Sequence, residues 1–397
     1  MISIRKAAIV LAVCCLLGLL AVLAWYAKHQ VGSGSASSDR PGSVELCGYG
    51  NTQPIRDTGD YPAEVIKAAD VTFSNVADAM ASQSHPRTQA VGLYAKLVVA
   101  MRRAGDEYRG LAGDCADEPC VQRRWKIARE AAGPHSQKLA RLAVASKDPG
   151  AYALALYGCR LNRDDGACAQ LSVAHWAEIE PINAVPWFYL AEDAASRKDE
   201  AAQNEALLRA SLAKTSDYYG STVLAMAEHP AARELASAPR LVYLSQLLGI
   251  YAALPAPTYL AVSQACAADR MTDSTRRQQC LNLATMMTER SKSLVEFSLG
   301  TAIGERGGWP ADRVQRLRDE TDAISFIGQS AILADDVHSC RFLELLEVRT
   351  GELNALGELA SARRRLATSD RSVADLAQGW REQQQRSSAS NPGSRPK

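Results

Sequence analysis

The residues best equipped for covalent chemistry in this chain are its ten cysteines. Cys14 and Cys15 fall within an apolar N-terminal run; the others, an even number, follow it. Their spacing suggests local pairs, Cys115 with Cys120, Cys159 with Cys168 and Cys266 with Cys280, each bracketing a turn between expected helices. Cys47 and Cys340 remain, and a bond between them would tie an N-terminal arm to a late helix. About a hundred pairings are formally open to eight cysteines. Closing the short loops is worth roughly 2–3 kcal/mol each and the long one about 5 kcal/mol in the chain-entropy account. Neither a C-x-x-C pair nor a Cys/His cluster at zinc spacing is present, so no metal ligand is assigned. Oxidised pairs require an oxidising compartment.

The other reactive side chains form no catalytic signature. Among six histidines, His29 borders the apolar run, His135 follows Pro134, His85 and His229 precede prolines, and His338 lies near Asp335 and Asp336. His175 stands one helical turn before Glu178, a spacing that suits a surface ion pair better than an acid/base couple. H-E-x-x-H, G-x-S-x-G and nucleophilic-cysteine motifs are absent. Gly304-Glu305-Arg306-Gly307-Gly308 lacks the strand and the Lys-Ser/Thr of a phosphate cradle and reads as a helix stop. Arg363 to Arg365, and Arg313, Arg316 and Arg318, sit among acidic residues and read as solvated helix faces. Hence no catalytic residue, cofactor or metal site is expected.

The elements around these residues begin with a membrane segment. Residues 1–6 form a short cytoplasmic N-terminus carrying Arg5 and Lys6. Residues 7–27 are almost wholly apolar, long enough to span a bilayer, and end on Trp25 and Tyr26, so a signal anchor is expected. A cleaved signal peptide after Val22-Leu23-Ala24 is the alternative. Residues 28–60 form a Gly/Ser-rich linker and irregular arm. Residues 61–382 hold the folded part, and the polar stretch 383–397 is expected to be disordered. This predicts a single-pass inner-membrane protein with its C-terminal domain in the periplasm. The formal net charge of +1 gives no basis for nucleic-acid binding.

Apolar residues in 61–382 recur three and four apart, the period of an amphipathic helix. Ile66, Ala69, Phe73, Val76 and Met80 form one stripe, and Val91, Tyr94, Val98 and Met101 the next. Trp125, Ala128 and Ala131 mark a third helix, and Leu139, Leu142 and Val144 a fourth behind Pro134. Further stripes run through Leu241, Leu244 and Leu248, through Tyr259, Val262 and Cys266, and through Leu283, Met286 and Met287. Others pass through Val314, Leu317 and Ile324, and through Phe342, Leu345 and Leu346. Period-two alternation never lasts, so the expected fold is all-α.

Residues 148–217 read as two consecutive helical hairpins. In the second, Asn183 is placed to cap a helix with Pro186 in its first turn. Trp187, Leu190, Ala191 and Ala194 form one face, and Ala202, Ala206, Leu207 and Ala210 form another after the polar break Ser196 to Asp199. Stepping back about 34 residues, the length of a tetratricopeptide unit, places Leu190 on Leu156 and Gln203 on Ala169. Trp187, Leu190-Ala191, Leu207 and Ala210, with Pro181 just ahead, resemble a tetratricopeptide repeat. The first copy departs from it at Ala153 and Trp176. The resemblance implies helical hairpins stacked as an α-solenoid with a concave face for proteins or peptides; the alternative is an irregular helical bundle. Trp187 is expected in the hairpin core, with Phe188 and Tyr189 as the candidate interaction surface. The expected function is a non-enzymatic scaffold or adaptor for a protein or peptide of the cell envelope. The alternatives are an envelope hydrolase with carboxylates that no motif reveals, or a purely structural secreted domain.

Overall fold

The computed structural model describes residues 47–48 and 61–389, apart from 116, 161, 164 and 334–337. The expected membrane segment, most of the linker, Asp335, Asp336 and the end of the polar tail lie outside the described residues. Among the described residues, no helix is long and apolar enough to cross a membrane.

The fold is all-α. Among the described residues sixteen helices follow one another: α1 (Ala63–Ala81), α2 (Pro86–Ala112), α3 (Glu118–Ser146), α4 (Pro149–Gly158), α5 (Val173–Ile179), α6 (Ala184–Ser196), α7 (Glu200–Ser211), α8 (Pro230–Arg233), α9 (Ser237–Ala253), α10 (Leu260–Ala265), α11 (Ser274–Glu289), α12 (Leu294–Arg306), α13 (Ala311–Leu333), α14 (Cys340–Leu356), α15 (Glu358–Ala367) and α16 (Val373–Ala389). Short 3₁₀ turns occupy Gly166–Gln170, Gly220–Glu228 and Arg270–Thr272. The helix starts are written in side chains that cap free backbone N–H groups. Asp148 accepts from Ala151 N at 2.8 Å, Asn183 from Val185 N at 3.2 Å and Asp273 from Arg276 N at 2.7 Å.

Two large apolar cores result. The first gathers α1, α2, α4, α9, α14 and the Gly220–Glu228 turn around Phe73, Leu154, Trp176, Leu224, Tyr243 and Leu244. The second joins α6, α7, α10, α11 and α12 around Phe188, Leu207, Val262, Leu283, Met287 and Ile303. A smaller cluster of Ala323, Leu366, Leu376 and Ala377 holds α13, α15 and α16 together. Consecutive helices pack as antiparallel pairs, α1 with α2, α2 with α3, α6 with α7 and α11 with α12. Between α1 and α2, a Cβ on Gly92 would stand 2.6 Å from Ala77 O, so only glycine lets these two helices approach so nearly.

Four disulfides join Cys47 to Cys340, Cys115 to Cys120, Cys159 to Cys168 and Cys266 to Cys280, the pairs that the spacing suggests. The Cys115–Cys120 bond closes the end of a two-helix arm. Among the described residues, none is fully buried on α2 beyond Leu97 or on α3 before Ala128, so the arm projects from the body.

Several expectations change. Pro134 does not start a helix; it lies inside α3. Its missing N–H interrupts one hydrogen bond, but Ala128, Ala132, Ser136, Leu139, Ala140 and Ala143 keep one buried face across it, and packing on that face carries the helix through. In α1 Val65 is buried and Ile66 turns outward. The first hairpin is not a matched pair: α4 is followed by a 3₁₀ turn and by α5, only 7 residues long. Residues 383–389 continue α16 as helix. Gly304 to Gly308 do end α12: Gly308 takes left-handed backbone, φ 91, and Trp309 N turns back to donate to Gly304 O at 2.9 Å. The Trp309 ring lies against Gly304 where a side chain would collide, and Arg313 stacks over that ring at 3.7 Å.

Candidate functional site

The aromatic cluster at the start of α6 is turned by about one residue from its expected phase. Phe188 is 0% exposed in the second core, and its ring meets Tyr259 edge-on at 5.4 Å. Tyr189 packs on the first core and donates from its hydroxyl to Pro255 O at 3.0 Å. Neither forms a free surface. Trp187, expected inside, is instead only partly covered; its Nε1 donates to Pro181 O at 3.1 Å, and Arg209 lies over the ring. The phase is set by the buried Asn183, whose cap and cross-chain bonds fix how α6 enters, so Ala184, Phe188 and Ala191 face inward. His175 and Glu178 form a solvent-exposed pair at 3.0 Å, 46% and 74% exposed, on a helix face with no cavity-lining role.

Three other places concentrate polar groups. The first is a polar seam where the cores meet. After α7 the chain runs extended: Thr215 bridges to Asn183 and Ser216 to Ser291. Asn183, fully buried, donates to Asp217 O at 2.8 Å and to Glu180 Oε2 at 2.9 Å. Glu296 of α12 is 1% exposed. Its Oε1 accepts from Ser216 Oγ at 2.9 Å and Tyr259 Oη at 2.6 Å, while Oε2 has no hydrogen-bond partner. Burial raises the Glu296 pKa, against the opposing pull of the Tyr259, Ser216 and Ser291 hydroxyls. Tyr251 donates to Glu358 Oε1 at 2.7 Å, and Tyr219 to Glu180 Oε1 at 2.6 Å. Tyr219 and Tyr259 both adopt left-handed backbone, φ 60 and 54. Such a conformation costs on the order of 1–3 kcal/mol in a non-glycine residue and persists only where its surroundings over-determine it. Here a carboxylate holds each hydroxyl. Within the seam the Glu296 carboxyl is shut away from solvent, while Glu180, Asp217 and Glu358 are only partly covered.

The second place is open. A cavity of about 240 Å³ lies between α1, α2 and α9. Phe73, Val98, Val99, Ile250 and Ala253 give it apolar walls; Tyr94, Arg102 and Gln246 add polar groups. Asp70 ties two of these together, accepting from Arg102 Nη2 at 2.6 Å and Gln246 Nε2 at 2.9 Å. An ionised carboxylate only accepts, so it fixes the amide with its nitrogen toward Asp70. Gln246 Oε1 is then left buried without a donor. Burial alone pushes the Tyr94 hydroxyl up to about 12. Gly249 contributes to the wall, and a Cβ placed there would meet nothing within 4 Å.

A third, polar groove of about 530 Å³ runs between α12, α13 and α16. Its charges cancel locally: Arg318 pairs with Glu305 at 2.5 Å and Arg381 with Asp322 at 2.8 Å. Among the described residues, no group of three or more His, Cys, Asp or Glu side chains is placed to hold a metal ion.

Sequence reasoning missed both the seam and the cavity. The cavity draws on residues 73, 94–102 and 246–253, and no local pattern joins them. The seam did leave one signal: Glu296 falls on the same helical face as Gly300 and Ile303, a lone acid in an apolar register. In comparisons with protein-family models, curated proteins and solved structures, the chain has no match.

Proposed function

We propose that this protein is a membrane-anchored extracytoplasmic scaffold whose helical body presents a binding cleft to a protein or peptide of the cell envelope. The observation that carries the reading is the open, apolar cavity between α1, α2 and α9, set in a body braced by four disulfides. Apolar concave sites with a few convergent polar groups are the usual form of a recognition pocket. The sulfur bridges agree with an oxidising compartment, and the apolar run 7–27, with Arg5 and Lys6 ahead of it, supplies the anchor. The antiparallel pair α6/α7 supports a tetratricopeptide-like unit at that point, with neighbouring pairs stacked beside it.

The test is photo-crosslinking in intact cells from benzoylphenylalanine placed at the exposed Ala252, next to the cavity wall but not part of it, with Gln315 in the polar groove as control. A discrete adduct from position 252 and none from 315 is expected. The same diffuse ladder from both would count against a scaffold. Alkylation of protein taken directly from its host should find the eight cysteines blocked; free thiols throughout would remove it from an oxidising compartment.

A further inference from the structure

Glu296 is a carboxyl that the fold buries without supplying a counter-charge. It is 1% exposed. Its hydrogen-bond donors are neutral hydroxyls, Ser216 Oγ at 2.9 Å and Tyr259 Oη at 2.6 Å, both on Oε1. Oε2 has no hydrogen-bond partner. Among the described residues no Lys or Arg pairs with it. Around it, the segment after α7 brings Asp217 and Tyr218, the turn between α11 and α12 brings Arg290 and Lys292, and α15 brings Glu358 and Arg363. The cations are engaged elsewhere: Lys292 holds Asp217 at 2.6 Å, Arg290 donates to Ala213 O at 2.8 Å, and Arg363 reaches Glu320 at 2.6 Å. Glu358 accepts from Tyr251 Oη and Leu294 N. A buried carboxylate with no cation beside it is unfavourable, and taking a proton or meeting water relieves it. Burial and the nearby Asp217 favour the proton, against the pull of the Tyr259, Ser216 and Ser291 hydroxyls.

The structure that Glu296 fastens is thin. The backbone bonds across it run from Ser216 N to Arg290 O at 3.3 Å and from Lys292 N to Ser216 O at 3.1 Å. Tyr259 reaches the carboxyl from left-handed backbone, φ 54, a conformation held by its surroundings and free to relax once the hydroxyl lets go. The apolar cores on either side close independently of these bonds. Helix α6 packs in both, Val185 and Tyr189 on the first and Ala184 and Phe188 on the second, so the cores stay joined there when this end parts.

We propose that this end of the seam is a pH-sensitive latch: with a proton on Glu296 the α11–α12 turn is held against the Thr215–Asp217 segment, and loss of that proton to water releases the two from each other while both cores remain folded. In the open form Glu296 meets water and takes the ordinary glutamate value of about 4.3. Below that value both forms hold the proton and the latch is at full strength. Above it the open form sheds the proton first, so opening grows about tenfold per pH unit until the closed carboxyl titrates as well.

The experiment is hydrogen–deuterium exchange of the full chain in nanodiscs, read by mass spectrometry from acid to mildly alkaline pH and corrected for the intrinsic pH dependence of amide exchange. Peptides covering Ser216 and Lys292 should lose protection about tenfold per pH unit above the ordinary glutamate value. Peptides around Leu244 of α9 and Leu207 of α7, one from each core, should hold theirs. Glu296→Gln, an isostere of the protonated acid, should abolish the response at the seam. Asp217→Asn, which withdraws the neighbouring negative charge, should end the response at a lower pH, and it serves if the first variant does not fold. Seam protection in the parent that does not change with pH overturns the proposal. So does a loss that runs equally through the seam and both cores, or a response that survives unchanged in Glu296→Gln.

Discussion

The seam around Glu296 and the cavity beside Gln246 are built from the same side chains, tyrosines, a carboxylate and small polar groups, and treat them in opposite ways. In the seam Tyr259 and Ser216 both donate to one glutamate oxygen, and left-handed backbone is tolerated to bring them there. At the cavity the carboxylate of Asp70 gathers the Arg102 guanidinium and the Gln246 amide nitrogen, and Gln246 Oε1 is left without a donor. Each region leaves one buried oxygen without a donor, Glu296 Oε2 in the seam and Gln246 Oε1 at the cavity. The difference lies in the setting: the seam fastens two cores across a packed interior, whereas the cavity is an apolar hollow that opens to solvent.

The contrast is most exposed to large truncations. Phe188→Ala, next to Tyr259 under the seam, should destabilise by about 3–5 kcal/mol in chemical denaturation, as a fully buried aromatic does. Trp187→Ala, one position along, should cost well under half of that, roughly 1 kcal/mol, because a partly covered ring loses less apolar contact. Equal costs would mean that α6 is wrongly phased. The same substitution at two tyrosines separates the regions more directly. Tyr259→Phe should cost about 1–3 kcal/mol by withdrawing a donor from a buried carboxyl. Tyr94→Phe should leave stability unchanged or raise it by up to about 1 kcal/mol, since the hydroxyl it removes has no partner.

The pH response isolates Glu296. Its folded pKa lies above the value of about 4.3 for an unfolded glutamate. Below the unfolded value both states hold the proton and the group's contribution is full. As pH rises from there the unfolded chain sheds the proton first, so stability falls until the folded pKa is passed. The melting temperature of Glu296→Gln, measured against that of the parent across this interval, should lack this decline. A parent whose stability rises over the same range after the other carboxylates are accounted for would refute the assignment. The smallest expected effect is at the cavity: Gly249→Ala should stabilise α9 by up to about 1 kcal/mol, since it gains helix propensity and meets no neighbour.

What was legible in the sequence was what the chain writes locally. Stripes such as Phe73, Val76 and Met80 announce a helix and its buried face within a few turns, and paired cysteines bracket turns a handful of residues long. The phase of α6 was not legible, because Trp187, Phe188, Tyr189 and Leu190 are apolar on every side, and a distant contact of Asn183 with the chain at Asp217 decides which of them turns inward. Pro134 misled for the same reason: a local stop signal was outweighed by a face packed on other helices. Both sites are assembled from segments far apart in the chain, so only the fold brings their parts together.

The bond between Cys47 and Cys340 spans a sequence separation of 293. Because of it, any tension arriving along the chain from the N-terminal side is delivered first to the start of α14, which packs on α9 and the Gly220–Glu228 turn, and not to the first turn of α1. A pull from the N-terminal side thus loads the first core through α14 before it can peel α1 away.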